Sequence, residues 1–130
     1  MTARDTRGWH IGQAALAVDD LDAAVAFYRD TLGVPFIAQP APTLAFFDCH
    51  GVRLMLSSGT GESGAGCTLY FEVPDIDRHY AELQHRGVAF AGPPQVIHSA
   101  ADYELRMAFF RDPAGNMLAL MAEQGTYVGQ

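Results

Sequence analysis

The chain has 130 residues, 49% of them hydrophobic and 18% charged, with a formal net charge of -7. A chain of that length fits one compact domain that buries roughly two thirds of its unfolded surface, and its composition is far from that of a disordered protein. The acidic balance leaves no basic patch to release counterions, which argues against nucleic acid and anionic membranes as main partners and says little about a small ligand.

In chain order, the opening MTARDTRGWH has no apolar leader, and no apolar run approaches membrane-spanning length, so neither secretion nor membrane spanning is supported. The two cysteines, Cys49 and Cys67, have no CxxC partner and read as free thiols of a reducing cytoplasm. A soluble cytoplasmic protein is expected. From Ile11 to Val18 the chain alternates: Ala14, Leu16 and Val18 share one face, Gln13, Ala15 and Ala17 the other. After this first strand, Asp19-Asp20 offers an N-cap. Leu21, Ala24, Val25, Tyr28 and Leu32 then recur at helical spacing until Gly33. Val34 to Ala38 reads as a second strand, broken by Pro40, Ala41 and Pro42; Thr43 to Asp48 and Val52 to Ser57 read as a hairpin over Cys49-His50-Gly51.

SSGTGESGAG, residues 57–66, is a Gly/Ser-rich linker without apolar anchors, and it lacks the lysine that a phosphate loop requires. Beyond it, Cys67 to Val73 reads as a fifth strand, with Leu69, Phe71 and Val73 on one face and Thr68, Tyr70 and Glu72 on the other. Asp75 caps a second helix with Ile76, Tyr80 and Leu83 on its apolar side, ending at Gly87. Val88 to Phe90 starts the next strand, which Gln95 to His98 continues past Gly92-Pro93-Pro94. The last hairpin, Tyr103 to Phe110 and Met117 to Met121, turns at Asp112-Pro113-Ala114-Gly115-Asn116. There proline fixes φ, glycine permits positive φ, and the Asp and Asn side chains bond nearby backbone.

Three landmarks repeat in one order. AFFDCHGVRLML from Ala45 echoes the stretch from Ala108, Val18-Asp19-Asp20-Leu21-Asp22 echoes Val73-Pro74-Asp75-Ile76-Asp77, and Leu32-Gly33-Val34-Pro35-Phe36 echoes Arg86-Gly87-Val88-Ala89-Phe90. The pattern is an internal duplication. It predicts an α+β domain over 1–130, built of two βαβββ modules, 10–58 and 67–123, joined by the linker 57–66. With helices on one side of each sheet, the opposite faces carry small, polar and methionine side chains, as a cavity would.

These motifs resemble the vicinal oxygen chelate superfamily of glyoxalase I, fosfomycin and bleomycin resistance proteins and extradiol dioxygenases. The resemblance rests on Val18-Asp19-Asp20-Leu21, Ala26-Phe27-Tyr28-Arg29-Asp30-Thr31-Leu32-Gly33, Tyr70-Phe71-Glu72-Val73-Pro74-Asp75-Ile76 and Asp112-Pro113-Ala114-Gly115-Asn116. It implies a cup-shaped mixed sheet and homodimerisation. It also places the metal-ligand positions of the metal-using members on Gln13, Met55, Thr68 and Ala119, of which only Gln13 is a suitable donor. A divalent centre normally needs three or more N, O or S ligands, so neither a metal nor another cofactor is expected, and the two-His-one-carboxylate set of a dioxygenase is missing. His10 and His98 remain as rim residues; His50 falls in a turn, and His79 and His85 fall on the second helix.

The expected function is binding of an apolar or aromatic organic ligand in the sheet cavity, against Tyr70, Phe109 and the methionines. Tyr103 and Met107 share the parity of Phe109, and Met55, Met117 and Met121 supply adaptable lining. Gln13, Thr68 and Glu72 would orient the ligand; the aromatic and thioether character of the wall disfavours a phosphonate. The rival reading is a glyoxalase-like isomerase, lyase or epimerase using a non-standard metal or base site. Its base would be Glu72, the one carboxylate expected on the pocket side, or His98.

Overall fold

The structure, a computed structural model, describes residues 11–59 and 68–125. Its elements run β1 Gln13–Val18, α1 Leu21–Ala26 continuing as a π-helical segment Phe27–Leu32, β2 Phe36–Ala41, β3 Leu44–Cys49, β4 Val52–Ser58, β5 Leu69–Glu72, α2 Ile76–His85, β6 Gln95–Ala100, β7 Tyr103–Arg111 and β8 Met117–Gly125. They form two four-stranded sheets, ordered β1-β4-β3-β2 and β5-β8-β7-β6. In each, the first strand pairs in parallel with the fourth, and the remaining pairs are antiparallel. Each half of the chain is therefore a βαβββ unit, and the class is α+β, as the repeats imply.

Both caps act as the sequence predicts. The Asp20 carboxylate accepts from the Ala23 N–H at 3.1 Å and the Asp75 carboxylate from the Arg78 N–H at 3.2 Å, each satisfying an orphan donor of the first turn. Gly33, at φ 81°, ends the first helical stretch. That stretch is not the single α-helix expected over Leu21 to Leu32, because it widens to π turns at Phe27. Tyr28, with 0% exposure, and half-buried Phe27 stand at the switch, and their rings pack against Phe47 and Phe110 respectively. Such π turns add a residue to the turn where packing demands it.

Further boundaries differ from expectation. Strand β2 runs through Pro40 and Ala41 instead of stopping before them. It is an edge strand paired only with β3, and its register slips twice, so the missing proline N–H breaks no regular ladder. Val88 to Phe90 forms no strand; Phe90 makes one isolated bridge to Phe110, and β6 begins after the prolines. Strand β5 is confined to Leu69–Glu72, and Cys67 lies outside the described residues. Strand β8 continues four residues past Met121. Strand β4 takes in Ser57 as expected and also Ser58, expected in the linker; residues 60–67 lie outside the described part.

The helix-side faces of both sheets meet in one core, including Leu16, Val18, Phe47, Leu54 and Leu56 from one half and Leu83, Phe110, Leu118 and Leu120 from the other. A buried polar network crosses it. The Tyr28 hydroxyl donates to Asp112 Oδ2 at 2.8 Å, Asn116 Nδ2 donates to the same oxygen at 2.9 Å and to the Ala17 carbonyl at 3.0 Å, and Asp112 Oδ1 accepts from the N–H groups of Ala114 and Asn116. Burial first, and the neighbouring Asp112 charge second, raise the Tyr28 phenol above its ordinary range. The turn that reverses β7 into β8 thus also fastens the second half to β1 and to the π-helical segment of the first.

Candidate functional site

Strand alternation leaves one face of each sheet turned away from the helices. On the first sheet, pairing aligns Gln13, Arg53 and Asp48 in one row and Ala15, Met55 and Phe46 in the next. Four of these side chains engage one another. Arg53 Nε donates to Gln13 Oε1 at 2.8 Å, the Arg53 guanidinium lies 5.0 Å from the Phe46 ring centroid, and Gln13 Nε2 reaches Met55 Sδ at 3.8 Å.

The second sheet presents rows that follow the sequence expectation closely. Tyr70, Ala119 and Phe109 form one row, with the Tyr70 and Phe109 rings edge to face at 6.2 Å. Glu72, Met121, Met107 and Gln95 form the next. Then come Glu123, Leu105 and His98, followed by Tyr103 between Gly125 and Ala100. Tyr70 is 49% exposed, whereas Ala119 has 0% exposure beneath the flanking rings. Thr68, half-buried, sits one residue before β5.

The predicted residues thus divide between two sheets. Gln13 and Met55 belong to the first; Tyr70, Glu72, Tyr103, Met107, Phe109, Ala119 and Met121 belong to the second, together with exposed His98, and Thr68 leads into it one residue before β5. Met117 stands apart, beside Phe27, residues 87–91 and the Asp112 turn. His10 lies outside the described residues.

One expectation is corrected: Glu72 is not the single carboxylate of this face. Because β8 is longer than the sequence reading allowed, the alternation Met117, Ala119, Met121 carries on to Glu123, whose Oε2 accepts from the buried Tyr103 hydroxyl at 2.5 Å. The His98 ring lies 5.9 Å from that of Tyr103. Continuing the period-two pattern past Met121 would have found Glu123, and the same rule applied to Met55 would have found Arg53.

The resemblance points to Gln13, Met55, Thr68 and Ala119 as the positions at which metal-using members place ligands. Ala119 has no donor atom and Met55 offers a thioether, while the side-chain oxygen of Gln13 already accepts from a cationic guanidinium. Among the described residues no group of three or more His, Cys, Asp or Glu side chains is placed to hold a metal. Cys49 is half-buried, and desolvation, with Asp48 beside it, pushes its thiol up, away from the reactive thiolate. No helix among these residues is long and apolar enough to cross a membrane.

Comparison with known proteins agrees with this architecture. Residues 10–120 match the model of the Glyoxalase/Bleomycin resistance protein/Dioxygenase superfamily. YraH of Bacillus subtilis (strain 168) is 30% identical over 123 residues, spanning 83% of this chain and 94% of that protein. A glyoxalase/bleomycin resistance protein/dioxygenase from Nocardioides superposes with a TM-score of 0.74 at 26% identity, covering 95% of this chain and 90% of the other. TnmS3, an antibiotic binding protein from Streptomyces sp. CB03234, superposes with a TM-score of 0.69 at 29% identity, covering 88% and 95%. The chain belongs to the glyoxalase/bleomycin resistance protein/dioxygenase superfamily.

Proposed function

We propose that this chain is a metal-independent small-molecule-binding protein that holds a flat or apolar organic ligand against the exposed face of the β5–β8 sheet. The observation that carries the reading is the Gln13–Arg53 pair: the one suitable donor at the family's metal positions is spent on an internal cation. The antibiotic-binding TnmS3, at 29% identity, supports the same class of function. Tyr70 and Phe109 offer an edge-to-face aromatic wall, Met107 and Met121 an adaptable floor, and Glu72 a hydrogen-bond acceptor at its margin.

A cytoplasmic homodimer fits this role. β1 and β5 are both edge strands. Catalysis is the second reading, an isomerase, lyase or epimerase, favoured by Glu72, Glu123 and Tyr103 sharing one face.

The test is a thermal-shift screen of flat polycyclic antibiotics and dyes, with metal content measured by mass spectrometry after incubation with zinc, nickel, manganese and iron salts. A ligand at about a hundred times its Kd raises the melting temperature by on the order of 10 °C, Phe109→Ala abolishes the shift, and metal stays far below stoichiometric. Metal near one equivalent would overturn the reading. Turnover that is lost in both Glu72→Gln and Glu123→Gln, in folded protein, would move it to the enzyme.

A further inference from the structure

A groove of about 940 Å³ runs along the seam between the two halves of the chain. Its floor is apolar, made by Phe71, Leu83, Phe110 and Leu120. One wall belongs to the first half: residues 32–35 after the π-helical segment and the β3–β4 turn with Asp48. The other is β5, including Tyr70 and Glu72, and one stripe of α2 and its C-cap, residues 79, 82, 83 and 86, at helical spacing. The volume suits a drug-sized molecule.

The rim carries more negative than positive charge. Three carboxylates, Asp48, Glu72 and Glu82, line it with one guanidinium, Arg86. Arg86 Nη1 is already committed to the Thr31 carbonyl at 3.0 Å, and Glu82 pairs with Arg78 at 3.4 Å. Among the described residues, that leaves Asp48, cross-strand from Arg53 on one wall, and Glu72 on the other as the lining carboxylates outside an ion pair. With histidine neutral, the whole chain carries -7, so its field also draws cations.

We propose that this seam is a second binding site, adjoining the sheet face and sharing Tyr70 and Glu72 of β5 with it, for an amphipathic organic cation. The apolar body of the ligand lies on Phe71, Leu83, Phe110 and Leu120, and its protonated amine sits between Asp48 and Glu72. Such a ligand bridges the two halves of the chain, joining across solvent what the Tyr28–Asp112 bond joins in the core.

Two fluorescent probes of one shape test this: 9-aminoacridine, a cation, and acridine, neutral in mildly alkaline buffer. Both are titrated into the wild-type protein, Asp48→Asn and Phe109→Ala, and alkylation of Cys49, which lines the groove, is followed by mass spectrometry of its own peptide. Asn at 48 keeps an oxygen for the Gly51 N–H bond of the turn, so the fold survives while the charge goes. The cation binds the wild type about tenfold more tightly than acridine, Asp48→Asn removes that advantage, Phe109→Ala leaves it unchanged, and saturating 9-aminoacridine slows Cys49 alkylation. Equal affinity for the two probes, an advantage that survives Asp48→Asn, or binding that depends on Phe109 with Cys49 unprotected overturns the proposal. The last outcome would place the probe on the sheet face and leave the primary reading standing.

Discussion

The two hairpins that begin with Ala-Phe-Phe close in opposite ways. In the first half, Cys49 pairs with Val52 and only His50 and Gly51 make the turn, both at left-handed φ, 54° and 94°. Its one side-chain bond, from the Gly51 N–H to Asp48 Oδ1 at 3.1 Å, is exposed. In the second half, Arg111 pairs with Met117, and the longer turn folds Asp112 and Asn116 to 4% and 1% exposure. There they bond to one another, to Tyr28 and to β1. Similar sequence thus yields a local closure in one place and the joint of the whole molecule in the other. What separates the two is whether the turn's polar groups are buried, since a buried group must find partners and those partners lie in the other half.

Three substitutions probe that contrast. Asn116→Ala carries the largest expected effect, about 3 kcal/mol, because it strips a donor from the Ala17 carbonyl and another from the buried Asp112 carboxylate. Urea unfolding of the whole chain reads it, and a loss under about 1 kcal/mol would show that the turn is not the joint. Tyr28→Phe comes next, at about 2 kcal/mol, the size of one hydrogen bond to a charged group. Its pH dependence is characteristic. The folded phenol titrates above its ordinary value of 10.0, so its share of stability is complete below that pH and is lost as pH rises past it. Wild-type stability therefore falls above about pH 10, the Phe variant lacks that component of the fall, and the gap between them narrows there. A gap that widens above pH 10 contradicts the assignment.

Sequence reading succeeds where the rule is local. Asp20 and Asp75 cap helices because a carboxylate beside free N–H groups needs nothing distant. The Asp112 turn and the alternation that puts Tyr70, Phe109 and Met107 on one face were legible for the same reason. It fails where tertiary context decides. The π-helical widening at Phe27 serves contacts with Phe47 and Phe110, neither of them near in sequence. Pro40 stays in β2 only because β2 is an edge. Arg53 occupies Gln13 across two strands, a pairing visible only once β1 is known to lie beside β4. The seam groove was illegible too, because its walls come from four separate segments.

The smallest effect is expected at the first turn. Asp48→Ala removes one exposed hydrogen bond and costs at most about 1 kcal/mol. Register in that hairpin does not depend on the turn. Ala45 and Phe47 on β3, and Leu54 and Leu56 on β4, are all at 0% or 1% exposure in the core, and slipping either strand by one residue would turn its buried pair to solvent. The sheet would hold His50 and Gly51 in place even with Asp48 gone. Urea unfolding of Asp48→Ala should accordingly shift the midpoint slightly and leave the slope unchanged. A loss above about 2 kcal/mol, larger than one exposed bond can supply, would mean that the first turn also bears load across the seam and that the two hairpins differ in length more than in role.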